Sequence, residues 1–340
     1  MKSPVLHIVA VVITALFPTV EVFAYPISPV TLWDLVETSS LIVLADVISV
    51  DDPRAGEMPD HDDPNSIMEM VSRDATAHLN VREVWKGNWA GQLQVSFEDM
   101  LVCPAPARYM TGGRVLAFLH RDEGAWRTTS LSYGTLYPQD DGIPIFRSLV
   151  ARAVRLQAAA SVSDDAYMNW IVDAASHPAT RWHGLYPLIP RSDILHSRYD
   201  KRTGISIIDR LTDQHLARIA EGFIASPPTD RTLPMALAAL ASYSSERLDM
   251  AALASMEAVM SSEPVPWWAK DALRHLLERF MARSVVESTL EDLEDWPDES
   301  DSDEIRAIWK RTKEELGLPD VEPAEITQPE MWGVGSNTPS

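Results

Sequence analysis

The hydrophobic pattern of this 340-residue chain changes period once, near residue 146, and that switch limits the fold class more than any other feature. Before it, short segments alternate with a period of two. After it, apolar residues recur at spacings of three and four. Leu41 to Val50 is a β-branched, apolar run that reads as a central strand, whereas Ala75 to Trp85 alternates, with Ala77, Leu79, Val81 and Val84 assigned to one side. Lys86-Gly87-Asn88 supplies a turn, and Gln92 to Phe97 alternates again. Gly112-Gly113 leads into Arg114 to Leu119, and Gly124 separates that strand from Trp126 to Ser130, which completes a hairpin. Five or six strands within about 100 residues predict a small antiparallel barrel or sandwich.

Beyond the switch the helical segments are Phe146 to Ala160, Ala166 to Ala175 (capped by Ser163-Asp164-Asp165), Leu211 to Ala225, Leu233 to Ser242, Met250 to Ser261 and Trp267 to Arg283. In the last, Ala272, Leu273, Leu276, Leu277 and Phe280 form one face. Breaks at Ser226-Pro227-Pro228 and Glu263-Pro264 separate them, as in a helical-repeat array. No clean repeat length emerges, so a compact bundle remains a competitor to that reading. An acidic stretch follows residue 284, then a helix from Asp303 to Leu316. A Pro-, Gly- and Ser-containing end without periodicity is expected to be disordered.

The N-terminus sets the expected location. Lys2 precedes an almost wholly apolar run from Val5 to Phe17, and Val22-Phe23-Ala24 offers small or short residues before a cut. This is the layout of a secretory signal peptide cleaved after Ala24, and an apolar run of about 13 residues is short for a membrane span. Pro18 and Pro26 argue against a buried helix there. The mature chain would begin at Tyr25, be periplasmic or secreted, and carry no integral membrane segment. Cys103 is the only cysteine, so an internal disulfide is impossible and packing must supply stability. The net charge of −21 argues against nucleic acid or an anionic membrane surface as partner. From Glu287 onward there are 16 acidic and 4 basic residues, the composition of a solvated tail.

Ser40 to Val47, Val81 to Gly87 with its Lys-Gly ending, and Gly113 to Leu119 carry a family resemblance. Together they resemble bacterial exported proteins with a netrin-like domain, the OB-barrel fold of tissue inhibitors of metalloproteinases. The resemblance spans roughly residues 36–137 and implies a barrel that can bind a partner. Those inhibitors chelate a catalytic zinc through a mature N-terminal cysteine. Tyr25 stands in that place here, so the mechanism does not carry over. The expected organisation is therefore α+β: a signal peptide (1–24), a small antiparallel, OB-like β-barrel (25–140), an all-α domain (146–284) and an acidic, largely disordered tail (285–340) with one short helix.

Chemistry-bearing residues are sparse in pattern. His177, His183 and His196, with Asp193, follow no zinc-ligand spacing, and His275 with Glu278 is an isolated i,i+3 pair. The acidic loop around Asp60 to Asn65 and the run Asp298 to Glu304 lack the glycine and glutamate of an EF-hand. No nucleophile elbow or phosphate loop occurs, and Cys103 precedes Pro104-Ala105-Pro106 with no base beside it. No catalytic residue, metal ligand or cofactor is therefore assigned. Trp85 and Trp89 flank the Lys86-Gly87-Asn88 turn, making Trp85, Lys86 and Trp89 the candidate binding residues, unless the tryptophans plug the barrel end. Trp267-Trp268 is a second aromatic feature. The composite expectation is an exported, non-catalytic binding protein of the bacterial envelope whose partner is an unknown protein or envelope component. An enzyme with a site at the barrel–helix junction, or a secreted inhibitor, is the alternative.

Overall fold

A computed structural model describes residues 29–51, 74–98, 106–188, 207–280 and 302–326. The expectations for the signal peptide, the loop after Asp51, Cys103, Asp193, His196, the acidic run before Ser302 and the chain end lie outside these residues.

Six strands form one sheet: β1 (Leu41–Asp51), β2 (Asp74–Lys86), β3 (Gln92–Glu98), β4 (Arg114–Asp122), β5 (Ala125–Thr128) and β6 (Thr135–Leu136). The order is β1-β2-β3-β5-β4-β6, and β1 also pairs with β4, so the first five strands close into a barrel. That arrangement is compatible with an OB-like barrel. The expected antiparallel character needs one correction. β3 meets β5 in parallel, through the single pair Ser96–Arg127, because the chain crosses over between β3 and β4. The β4–β5 hairpin turns at Glu123 and Gly124, both at positive φ as a type I′ turn requires.

β1 explains its own sequence. Leu41, Val43, Ala45 and Val47 face the barrel interior with Ala77, Leu79, Val95 and Phe97. Ile42 and Leu44 face outward, yet are equally buried, because helices cover them. A strand buried on both faces has no polar alternation to show. β4 does the same, with Val115, Ala117 and Leu119 inside and Leu116 and Phe118 outside.

The covering layer begins with α1 (Leu32–Thr38), a helix absent from the sequence expectations. It buries Leu32, Leu35 and Val36, and the Thr31 N–H donates to Asp34 Oδ2 at 2.8 Å to close its first turn. Then come α2 (Ile143–Gln157), α3 (Asp164–Ala175), α4 (Arg181–Leu185), α5 (Asp213–Ala225), α6 (Thr232–Ala239), α7 (Glu246–Met260), α8 (Ala269–Phe280) and α9 (Ser302–Leu316). Side chains of Ser163, Thr212 and Ser245 accept the backbone N–H that each cap requires. Trp170 of α3 is wholly buried and donates its indole N–H to the Leu149 carbonyl of α2 at 2.9 Å. One hydrophobic cluster runs unbroken from Ile42 and Phe118 on the barrel through Trp170 and Phe223 to Trp309 on α9. Among the described residues no helix is long and apolar enough to cross a membrane.

Two glycines let helices close on the end of α3. A Cβ on Gly222 of α5 would lie 2.0 Å from the Ser176 carbonyl oxygen, and one on Gly184 of α4 would lie 2.2 Å from the Ala175 nitrogen. Gly222→Ala sets two effects against each other. Alanine gains about 1 kcal/mol of helix propensity, while forcing two backbones apart costs about 3 kcal/mol. A net loss of about 2 kcal/mol is expected in urea unfolding; a stabilised variant would show that α5 can slide away freely.

Candidate functional site

Trp85, Lys86 and Trp89 do not converge. Trp85, half-buried at the end of β2, packs against the core shared with the helices and donates its indole N–H to Glu83 Oε2 at 2.9 Å. Lys86 donates through Nζ to the Val36 carbonyl of α1 at 2.6 Å, satisfying a carbonyl in the last turn of that helix. Burial pulls the Lys86 ammonium below the usual lysine range, and Glu37 opposes the shift. Gly87 follows with φ +81°, where a Cβ would meet the Ser40 carbonyl at 2.6 Å. The Lys-Gly pair thus docks the β2 end onto α1 and the start of β1. Trp89 turns to the other core. It donates to the Gln92 carbonyl at 3.1 Å and meets Trp126 edge-to-face at 6.0 Å, beside the one-pair seam between β3 and β5.

A groove of about 490 Å³ opens instead where the barrel meets α2, lined by Leu44, Arg82, Glu83, Arg114, Asp140, Ile143, Pro144 and Arg147. A β-bulge builds its barrel side. Leu44 pairs with Glu83 and Ala45 with Val81, so Arg82 is the extra residue and the successive side chains Arg82 and Glu83 both reach the groove. The same bulge lets both Val81 and Val84 pack on the barrel core, although they are three residues apart. Arg114 opens β4 opposite Asp46 of β1. Pro144 sits in the first turn of α2, and Arg147 follows one turn on.

Every guanidinium here has an acidic partner. Arg82 donates through Nε to Asp46 Oδ2 at 2.6 Å, and Arg114 reaches Asp46 at 3.7 Å and Asp140 at 2.7 Å. Arg147 donates to Glu83 Oε1 at 2.6 Å and lies over the Trp85 ring, 5.8 Å from its centre. The pairs differ in strength. The Asp46 side chain is 29% exposed and serves two arginines, whereas the Asp140 side chain is 89% exposed and serves one. An exposed pair of the latter kind contributes about 0–1 kcal/mol. Chemically the site offers planar forks for an anion above an apolar floor of Leu44, Ile143 and Pro144.

The histidines take other roles. His183 is fully buried, and its Nδ1 accepts the Leu32 N–H at 3.0 Å, capping α1 from α4. Burial first, then Arg231, lower it to about 3, against the opposing pull of Asp34. His177 accepts the Ala179 N–H at 3.2 Å and is lowered by burial and Arg181. His275 and Glu278 meet at 3.1 Å on the exposed side of α8. Among the described residues no three His, Cys, Asp or Glu side chains are placed to hold a metal ion. Arg181, 4% exposed, donates to the Gly222 and Ser226 carbonyls at the end of α5; burial lowers it to about 10 despite Asp230. Trp268 packs against the shared core, while Trp267 is 61% exposed.

The sequence pointed to the barrel–helix junction only as the site of the alternative enzyme and assigned none of the groove's residues, because they come from β1, β2, β4, the following loop and α2. The groove's one local trace is the Val81–Val84 spacing, which breaks a period of two. No model of a known protein family matches the chain, and no curated protein matches it significantly.

Proposed function

We propose that this is an exported, non-catalytic binding protein of the bacterial envelope that docks its partner in the arginine-walled groove between barrel and helices. The observation that carries this reading is the convergence of Arg82, Arg114 and Arg147, from three separate elements, on one open groove. Binding is favoured over catalysis because Glu83 and Asp140 serve there as counter-ions to arginine, whereas an acid–base catalyst needs a carboxyl aimed at a substrate. Export rests on the Lys2, Val5–Phe17 and Ala24 pattern. The netrin-like reading draws support from the compatible strand order and from the packing of Lys86-Gly87 against α1 and β1.

A photocrosslinking residue in place of Arg82, in the full chain expressed in its native cell, tests the site. The same residue in place of exposed Gln94 on β3 is the control. The expected result is one adduct in the envelope fraction from position 82, absent from position 94 and abolished by Arg114→Gln, with the recovered protein starting at Tyr25. Equal adducts from both positions would overturn the groove as the docking site. A retained residue 1–24 in the recovered protein would overturn the exported, cleaved form.

A further inference from the structure

We infer that the groove recognises a peptide carboxylate flanked by an apolar residue, which binds by taking the place of the Asp140 carboxylate on Arg114. This rests on the groove being the docking site and names the chemistry it would accept.

The charges around the groove are unequal in mobility. Asp46 is shielded and bridges Arg82 and Arg114, and Glu83 is fixed between Arg147 and the Trp85 indole. Asp140 alone combines near-complete exposure with a single arginine partner, and it sits in the loop ahead of α2 rather than in a strand or helix. Displacing it costs little. A ligand carboxylate can then bind the Arg114 fork with two parallel hydrogen bonds. Asp140 is thus a resident mimic of the ligand.

Two features narrow the ligand further. Three arginines and no lysine line the groove, which favours two-pronged recognition of an oxyanion over a point-charge contact, and the resident Asp140 shows that a carboxylate fits the Arg114 fork. Leu44, Ile143 and Pro144 offer apolar surface beside the forks, which a bare inorganic ion cannot use. The net charge of −21 weighs against a polyanion, whose many charges feel the whole field, and much less against a single carboxylate inside one Debye length of the arginines.

The test uses the full-length mature chain and four probes: acetyl-Val-Leu-Val as free acid, the same peptide amidated, acetyl-Val-Asp-Val amidated, and sulfate. Calorimetry gives affinity, and arginine Nε–H NMR shifts locate the contact. The free-acid peptide is expected to shift the Arg114 signal. Asp140→Asn should tighten it about threefold and Arg114→Gln weaken it about tenfold, with thermal unfolding confirming that both variants fold. The two carboxylate peptides separate a chain end from an acidic side chain as the source. Equal binding by the amidated Val-Leu-Val, no gain from Asp140→Asn, or sulfate competing as well as peptide would each overturn the inference. If peptides fail while position 82 still crosslinks a partner in an Arg114-dependent way, only the ligand chemistry is wrong. If both fail, the docking site is wrong as well.

Discussion

Replacing Phe118 by alanine is expected to cost about 4 kcal/mol and to loosen barrel and helices together. Phe118 is wholly buried on the outer face of β4, opposite Ile42 of β1. The cluster that holds it also contains Leu44 and Leu116 from the barrel and Phe146, Leu149 and Trp170 from α2 and α3. Removing the ring opens a cavity in the layer that joins the two halves, and flanking strands held by a closed barrel cannot collapse to fill it. Against a typical total of about 5–15 kcal/mol, such a loss is large. Hydrogen exchange separates local from joint effects. Protection should fall in parallel for amides of β2 and of α3. If β2 amides lose protection while α3 keeps its own, the shared cluster does not couple the halves.

This coupling was only half visible in the amino-acid pattern. The Leu41–Val50 run correctly indicated a central strand, because burial on both faces from Leu41 to Ala45 removes polar alternation there. The alternating runs of β2 and β3 were legible for the opposite reason: one face of each reaches solvent, partly in β2 and more fully in β3. The pattern could not show that the second buried face of β1 is covered by α1 and α2. α1 is seven residues long, too short to display a 3.6-residue period, and it stands in sequence just after Pro29. α4 escaped for a related reason, since it is five residues long with every one of them buried, and so shows neither a period nor an exposed face.

The site was less legible than the fold. Trp85, Lys86 and Trp89 are neighbours in sequence, yet strand and turn send Trp85 to the core shared with the helices and Trp89 to the barrel interior, while Lys86 caps α1. Sequence proximity is a poor guide where a strand alternates its faces and then turns. The groove has the reverse character. Arg82, Arg114 and Arg147 are spread over 66 positions and meet only because β1 pairs with β2 on one edge and β4 on the other while α2 lies across the barrel. Charge composition alone hides this, since a net of −21 does not show where three arginines and their carboxylate partners converge.

Acidification from pH 7 to pH 5 is expected to destabilise the protein by about 2 kcal/mol more than it destabilises His183→Asn. His183 ties α4 to α1, accepting the Leu32 N–H of α1 on its Nδ1, so its proton resides on Nε2. A proton on Nδ1 would break that bond and place a charge in a fully buried site beside Arg231 and at the positive end of α1. Asp34 lies on the favourable side but does not outweigh burial, and the folded value falls to about 3 from an ordinary 6.5. With the folded value depressed, the unfolded chain binds a proton below pH 6.5 and the native one does not. The stabilisation is complete above pH 6.5 and is lost as pH falls toward 3, by about 1.4 kcal/mol per unit. Asparagine retains an acceptor for Leu32 and does not titrate. Its packing cost is the same at both pH values, and carboxylates and His177 titrate alike in both proteins. Urea unfolding of the two proteins at pH 7, 6 and 5 should therefore give curves that converge as pH falls. Parallel curves would mean that His183 takes up its proton in the folded state as readily as in the unfolded one.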